Sequence, residues 1–336
     1  MLFPPAISDE KIIACLRQEF GQRIERLDFL PLGADMGTAV YRATAADGMP
    51  YFCKLRSGNF NETSVEMPRF LSQQGVAQVI PPLPTLEGGL WAGLEDYHVI
   101  LYPFIEGVDG YTQELSEPQW AEFATALQRL HAARPPAELA AKIPVETYAP
   151  EWRERCRQSL RRLEAETFTD PVMRSLAGYL LPRRETVHEL IRRAEHLAQV
   201  LLAQPAENVP CHADMHPGNL HIHPSGRLFI VDWDDVIYAP KERDLMFIGG
   251  GQGFLNRTAQ EEESLFYRYY GPVEIDPFAL AYFRCERALI DIAVECEHIF
   301  EGTLAEEDRA QSLQFLHWGF EPNAAIEMAL QTAWPG

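Results

Sequence analysis

Two short runs concentrate oxygen-bearing side chains of the kind that handle phosphate and a divalent cation. They are His212-Ala-Asp214-Met-His-Pro-Gly-Asn219 and, 13 residues beyond its asparagine, Ile230-Val-Asp232-Trp-Asp234. In phosphoryl transfer an aspartate at the position of Asp214 meets the attacking hydroxyl and accepts its proton, while an asparagine five positions on and a further aspartate at a strand end hold magnesium. The spacing has a physical cause. A loop of about five residues lets the Asp214 carboxylate and the Asn219 amide point into one cavity, and a hairpin then returns Asp232 to the same mouth. Hard oxygen donors suit magnesium, which keeps part of its water shell and shares the rest with phosphate. The competing reading is a buried turn in which Asp214 and Asn219 satisfy backbone amides.

Further residues fit the same chemistry. Lys54 lies in the third expected strand, where a lysine reaches the α- and β-phosphates of a nucleoside triphosphate. It could equally be an ordinary lysine at a strand end. Its acidic partner on the next helix is Glu62 or Glu66, with Glu62 the better match and Glu66 deeper in the helix. The loop from Gly33 to Gly37 would lie over the phosphates and offer backbone N–H groups where a side chain would crowd. Main-chain groups around Tyr102, Phe104 and Ile105, in a linker between lobes, would hold the adenine, unless these three are hinge packing. For an acceptor, Asp234, Asp235, Glu286 and Asp291 could line a carboxylate-rich mouth suited to a cation. The plain alternative is a solvated acidic helix face.

The elements that must position these residues divide by texture. Asp9 to Phe20 carries Ile12, Ile13, Leu16 and Phe20 at helical spacing. Residues 26–56 change to short apolar runs broken by turns, with Asp47-Gly48 between two of them, which predicts three antiparallel strands. A helix over 62–74, ended by Gly75, comes next, then strands over 86–91 and 98–102. Beyond Pro103 the pattern is helical over 118–131, 152–164, 170–204 with a break at Pro182, and 277–300. A hairpin, 220–223 and 227–232, interrupts it. The expected fold class is α+β and bilobal: a small antiparallel five-stranded lobe with a helix over 1–103, and a larger, mainly helical lobe over 104–336.

With these motifs and Ala149-Pro-Glu-Trp-Arg153 and Ala239-Pro-Lys-Glu-Arg-Asp-Leu-Met-Phe-Ile-Gly-Gly-Gly251, the chain resembles the aminoglycoside phosphotransferase family, which has a protein-kinase-like fold. The resemblance covers nearly the whole chain. It implies Asp214 as the catalytic aspartate, Asn219 and Asp232 as metal ligands, and His212 as a brace for the loop. It also implies ATP, with GTP as an alternative donor, Mg2+ as the metal, and a hydroxyl of an aminoglycoside or aminocyclitol, spectinomycin first, as acceptor. A kinase for a choline-like, homoserine-like or sugar-alcohol metabolite shares these motifs, and a non-catalytic nucleotide-binding scaffold that has kept the fold is the other alternative. The glycine loop departs from the G-x-G-x-x-G of protein kinases.

Bulk properties bound the rest. The 336 residues, 46% hydrophobic, can bury a large core. The net charge of −20 would repel nucleic acid and an anionic membrane and attract a cationic small molecule. The six cysteines form no C-x-x-C pair, and His212, His216, His221 and His223 are spread over a loop and a strand, which argues against zinc. Gly249-Gly-Gly-Gln-Gly253 lacks the Lys-Ser/Thr of a Walker loop and reads as a tight turn. The start, Met1-Leu-Phe-Pro-Pro, has no basic leader pattern, so the expectation is a cytoplasmic monomer.

Overall fold

The computed structural model describes residues 4–31, 37–58, 60–204, 206–251, 257–301 and 304–334. In chain order the helices and strands are α1 (Asp9–Phe20), β1 (Ile24–Leu30), β2 (Thr38–Ala45), β3 (Pro50–Ser57), α2 (Thr63–Gln73), β4 (Ala92–Leu94), β5 (Tyr97–Pro103), β6 (Val108–Asp109), α3 (Glu117–Ala132), α4 (Ala137–Ala140), α5 (Glu151–Ala165), α6 (Pro171–Leu180), α7 (Arg184–Ala203), β7 (Val209–Cys211), β8 (Leu220–Ile222), β9 (Leu228–Ile230), β10 (Ile237–Ala239), α8 (Glu242–Leu245), α9 (Ala259–Tyr270), α10 (Pro277–Phe300), α11 (Glu306–Gly319) and α12 (Ala325–Gln331). Two compact units result: residues 1–144 with 218–236, and residues 145–217 with 237–336.

The first unit is built on an antiparallel sheet in the order β1-β2-β3-β5-β4. Its β2–β3 turn is the expected Asp-Gly hairpin: Gly48 adopts φ 85° and the Asp47 carboxylate accepts the Met49 N–H at 3.0 Å. Strand alternation then sorts the side chains. Ala39, Tyr41, Ala43, Cys53, Leu55, Val99 and Leu101 face one side and pack with Ile12, Cys15, Leu16 and Phe20 of α1. The other parity holds the register partners Val40, Lys54 and Ile100, so Lys54 points away from the α1 side. The helix α2 ends where Gly75 takes φ 80° and the Val76 N–H closes on the Leu71 carbonyl at 3.1 Å.

Two expectations differ from what is observed. Residues 86–91 form a turn closed by Thr85, whose N–H and Oγ1 both bond to Gly89, and the fourth strand starts only at Ala92. The division between units also falls elsewhere than residue 103. The helix α3, capped by Ser116, is tied to the β8–β9 hairpin: Gln119 donates to the Gly226 carbonyl at 3.0 Å and Glu122 accepts the Leu228 N–H at 3.1 Å. Those side-chain bonds, with the Ile230 N–H on the Gln78 carbonyl at 2.8 Å, place the hairpin in the first unit.

The second unit gathers around α10, whose start is capped by Asp276, accepting from Phe278 at 2.9 Å. Tyr282, Phe283, Leu289, Ile292 and Ile299 are buried along it. The break at Pro182 is present as a short turn between α6 and α7. All six cysteines are buried thiols. Among the described residues no helix is long and apolar enough to cross a membrane.

The sheet's dependence on its α1-facing side is open to test. Leu101→Ala empties a fully buried position between β5 and α1, and it should lower unfolding free energy by about 2–5 kcal/mol in urea titrations followed by circular dichroism.

Candidate active site

In the first unit the Lys54 ammonium sits 2.8 Å from Asp232 Oδ1 and 2.8 Å from Asp234 Oδ2. Arg56 adds a second cation at 2.9 Å from the same Asp234 oxygen and donates to Thr38 Oγ1 at 2.8 Å. Lys54 is 8% exposed. Burial alone would pull its pKa down, but the two carboxylates outweigh it and hold the ammonium above its ordinary range. Tyr102, beside this cluster, is pushed up chiefly by burial and by the two aspartates, against the pull of Lys54.

The hairpin explains how these acids arrive. Leu220 pairs with Ile230, and the Val231 N–H donates to the Asn219 carbonyl at 3.0 Å. Asn219 and Asp232 therefore flank the same end of the β8–β9 ladder. Trp233 is turned inward and donates to the Ile230 carbonyl at 3.1 Å. Asp232 takes φ 62°, a left-handed conformation uncommon without glycine. The amide of Asn219 and the carboxylates of Asp232 and Asp234 are hard oxygen donors, a set chemically suited to magnesium.

The second unit holds Asp214. Its Oδ1 receives Arg287 Nη1 at 2.5 Å, and its Oδ2 lies 3.3 Å from His216 Nε2. Burial raises the cost of its charge, but Arg287, His216 and His212 overcome that and hold the carboxyl well below the usual carboxylate range. The loop is fixed by Asp244 of α8, whose carboxylate accepts the N–H of His212 at 3.0 Å and of Ala213 at 2.6 Å. His212 is fully buried, and its Nδ1 accepts the Asp214 N–H at 3.3 Å. Sequence reasoning missed both Asp244 and Arg287. An aspartate immediately before the apolar run Leu245-Met-Phe-Ile248 was the available signal for the first; nothing local pointed to the second.

Several expected partners are arranged differently. Glu62 and Glu66 both hold Lys142, at 2.9 and 2.7 Å, while the Lys54 ammonium is paired with the two aspartates. The Phe104 N–H is taken by the Pro50 carbonyl at 3.4 Å and the Ile105 carbonyl meets His221 Nε2 at 2.9 Å, so these linker groups are already engaged. The Phe104 ring packs under Arg42, 4.4 Å away. Gly37 accepts from Ser57, through N–H at 2.9 Å and Oγ at 3.1 Å, whereas Gly33 lies outside the described residues. The glycines at 249–251 are a close-packed turn: a Cβ on Gly250 would lie 2.1 Å from the Met246 carbonyl oxygen.

The proposed acidic mouth is largely neutralised by arginine. Asp234 is paired as above, and Asp291 lies 2.8 Å from Arg287. Glu286 is 4% exposed and sits 3.5 Å from Arg153, so it is a core group rather than a mouth residue. Asp235 alone of the four is exposed. A helix period cannot tell an outward glutamate from one that meets an arginine of another helix.

With this geometry in place, the comparisons define the class. Residues 28–271 match the phosphotransferase enzyme family, and the chain belongs to it. Spectinomycin phosphotransferase APH(9)-Ia, solved with ADP and spectinomycin, is similar at 32% identity and a TM-score of 0.89, over 98% of this chain and 99% of that one. Amicoumacin kinase hAmiN, solved with AMP-PNP, Ca2+ and Ami, shares the fold at 19% identity and a TM-score of 0.61, over 95% of both chains. Protein StrN of Streptomyces griseus is 24% identical over 267 residues, 74% of this chain and 76% of that one.

Burial, opposed by Arg153 and Arg243 and aided by Glu146, pushes the Glu286 carboxyl up to about 7. The folded chain thus keeps a proton between about pH 4.5 and 7 that the unfolded chain releases, so this group's contribution to stability falls as pH rises through that window. Glu286→Gln should flatten the pH dependence of unfolding free energy there, measured by urea titration at successive pH values.

Proposed function

We propose that this phosphotransferase is a magnesium-dependent kinase that moves the γ-phosphoryl group of ATP, or of GTP in its place, to a hydroxyl of an aminoglycoside or aminocyclitol, with spectinomycin the leading acceptor. The observation that carries this reading is the whole-chain likeness, at 32% identity, to an enzyme solved with ADP and spectinomycin. A chain with net charge −20 also favours the approach of a cationic small molecule over that of an anionic one. The same balance disfavours nucleic acid and membrane surfaces, and the reading assigns a cytoplasmic monomer.

In the proposed reaction the acceptor oxygen attacks the γ-phosphorus, the bond from phosphorus to the β–γ bridging oxygen breaks, ADP leaves, and the hydroxyl proton passes to the Asp214 carboxylate. Asp214 orients the hydroxyl, and His212 steadies the loop that carries it. Lys54 steadies the nucleotide phosphates, with Gly37 on the loop assigned to cover them and Tyr102, Phe104 and Ile105 on the adenine side; Gly33, assigned to the same loop, lies outside the described residues. Asn219 and Asp232 would hold magnesium, which neutralises the triphosphate when bound. In that state Lys54 would exchange carboxylate partners for phosphate oxygens, a like-for-like replacement of anionic donors. Asp234, Asp235 and Asp291 are assigned to the acceptor side.

Incubation with ATP, magnesium and spectinomycin should add roughly 80 daltons, one phosphoryl group, to the aminocyclitol, read by mass spectrometry. Phosphorylation of choline or a sugar alcohol with spectinomycin left unchanged would overturn the acceptor assignment. Asp214→Asn should fold normally and lose on the order of 10²-fold or more in turnover; near-normal turnover by the purified variant would refute the role given to Asp214.

A further inference from the structure

Arg287 was invisible to sequence reasoning, yet it lies nearer the Asp214 carboxylate than His216 does, at 2.5 against 3.3 Å. It lies on α10 one turn before Asp291, and its guanidinium bridges the two acids: Nη1 to Asp214 Oδ1 at 2.5 Å and Nε to Asp291 Oδ1 at 2.8 Å. Its flat face lies over the Phe247 ring, 5.4 Å from the centroid. A guanidinium is rigid and planar, so the ion pair with Asp291, made without a hydrogen bond from Nε, and the Phe247 ring beside it restrict where the other edge points. That edge holds Oδ1 of Asp214. Oδ2 faces His216, at 3.3 Å.

We propose that Arg287 is a positioning residue for the reaction, anchored by Asp291, which sets the plane of the Asp214 carboxylate and commits Oδ1 so that Oδ2 meets the acceptor hydroxyl. The inference rests on the role given to Asp214 above. It also moves Asp291 from the acceptor to the support of the base. A carboxylate accepts through two oxygens, and one that is free to rotate presents either. Clamping Oδ1 removes that freedom before the acceptor arrives, which is the pre-organisation that makes an attack geometry productive. Among the described residues, the charged and titratable groups facing Asp214 include Arg287 and Asp291 from α10 and His212 and His216 from its own loop. Loss of the Arg287 cation therefore moves the Asp214 carboxyl back toward its ordinary range.

The test uses the full chain with Arg287→Met, Arg287→Lys, Asp291→Asn and the Arg287→Met/Asp291→Asn double variant. Arg287→Met should lower kcat by about 10²-fold, the cost of a small misplacement, with the KM for ATP unchanged. Arg287→Lys should recover part of that loss, Asp291→Asn should lose less than Arg287→Met, and the double variant should be no worse than Arg287→Met alone. A readout independent of any acceptor is the carboxyl-carbon NMR titration of Asp214, assigned by its absence from Asp214→Asn. Its midpoint should rise in Arg287→Met, and by less in Asp291→Asn. Wild-type kcat in folded Arg287→Met overturns the proposal, as does an unmoved Asp214 titration. Should Arg287→Met fail to fold, Asp291→Asn with unaltered kcat and titration overturns it instead. The parent reading fails separately: wild-type protein inactive on every acceptor, or an active Asp214→Asn, sinks the role of Asp214, whereas the NMR titration judges the Arg287 clamp in either case.

Discussion

A buried ammonium between two carboxylates is the constraint on which the first unit's functional face depends. Lys54 is largely buried on the inner strand of a five-stranded sheet, and an unpaired charge there would either shed its proton or cost several kcal/mol. Its pairing with Asp232 and Asp234 answers that cost and ties β3 to the turn that follows the β8–β9 hairpin, across nearly 180 residues of chain. Placement begins with parity. One residue earlier or later in β3, the lysine would face α1 and its apolar neighbours. The same pairing suits a phosphate-handling role, since the lysine is already held charged in a low-dielectric setting where an incoming anion gains most from it.

A second regularity concerns the surplus of acid. The sequence has 49 acidic and 29 basic side chains, yet the acids near the candidate residues are matched to arginine or lysine: Asp234 with Lys54 and Arg56, Asp291 and Asp214 with Arg287, Glu286 with Arg153. The excess negative charge therefore lies mostly elsewhere, where its field is long-ranged and weakened by ionic strength. Of the four acids expected to line a mouth, only Asp235 is exposed, so they do not form a ring of unpaired carboxylates. Arginine suits this matching because its fork can hold two acids at once without losing its own charge.

How much was legible in the sequence follows from the range of the interactions involved. The helix at Asp9–Phe20, the Asp47-Gly48 turn, the α6–α7 break and the long helix α10 were readable because period, turn chemistry and caps act within a few residues. Asp214, Asn219 and Asp232 stood out because their spacing is itself local. The partners of Lys54, the Lys142 claim on Glu62 and Glu66, and the Arg287–Asp214 contact join residues from about 70 to 180 positions apart, and no periodicity carries that information. Short strands such as β6, β7 and β10 were missed for a related reason: two or three residues hold no alternation to detect. The strand expected at 86–91 failed because Thr85 and Gly89 close a turn there, and a threonine's backbone-directed bond competes with a ladder.

The two turns that carry Asp214 and Asp232 share one more feature. Each includes a non-glycine residue in the left-handed region, Ala213 at φ 71° and Asp232 at φ 62°. Such a conformation costs of order 1 kcal/mol or more and persists only where its surroundings enforce it. At Ala213 the enforcement is the Asp244 carboxylate, which takes two successive N–H groups and so dictates the local backbone. At Asp232 it is the Lys54 ion pair acting on the side chain. Glycine at either position would relieve the strain, but it would also widen the range of backbone states open to the unliganded turn. Alanine and aspartate narrow that range, and the buried acid and buried lysine select the state that remains. The strain and the burial thus act together: each turn holds its acid in one backbone state.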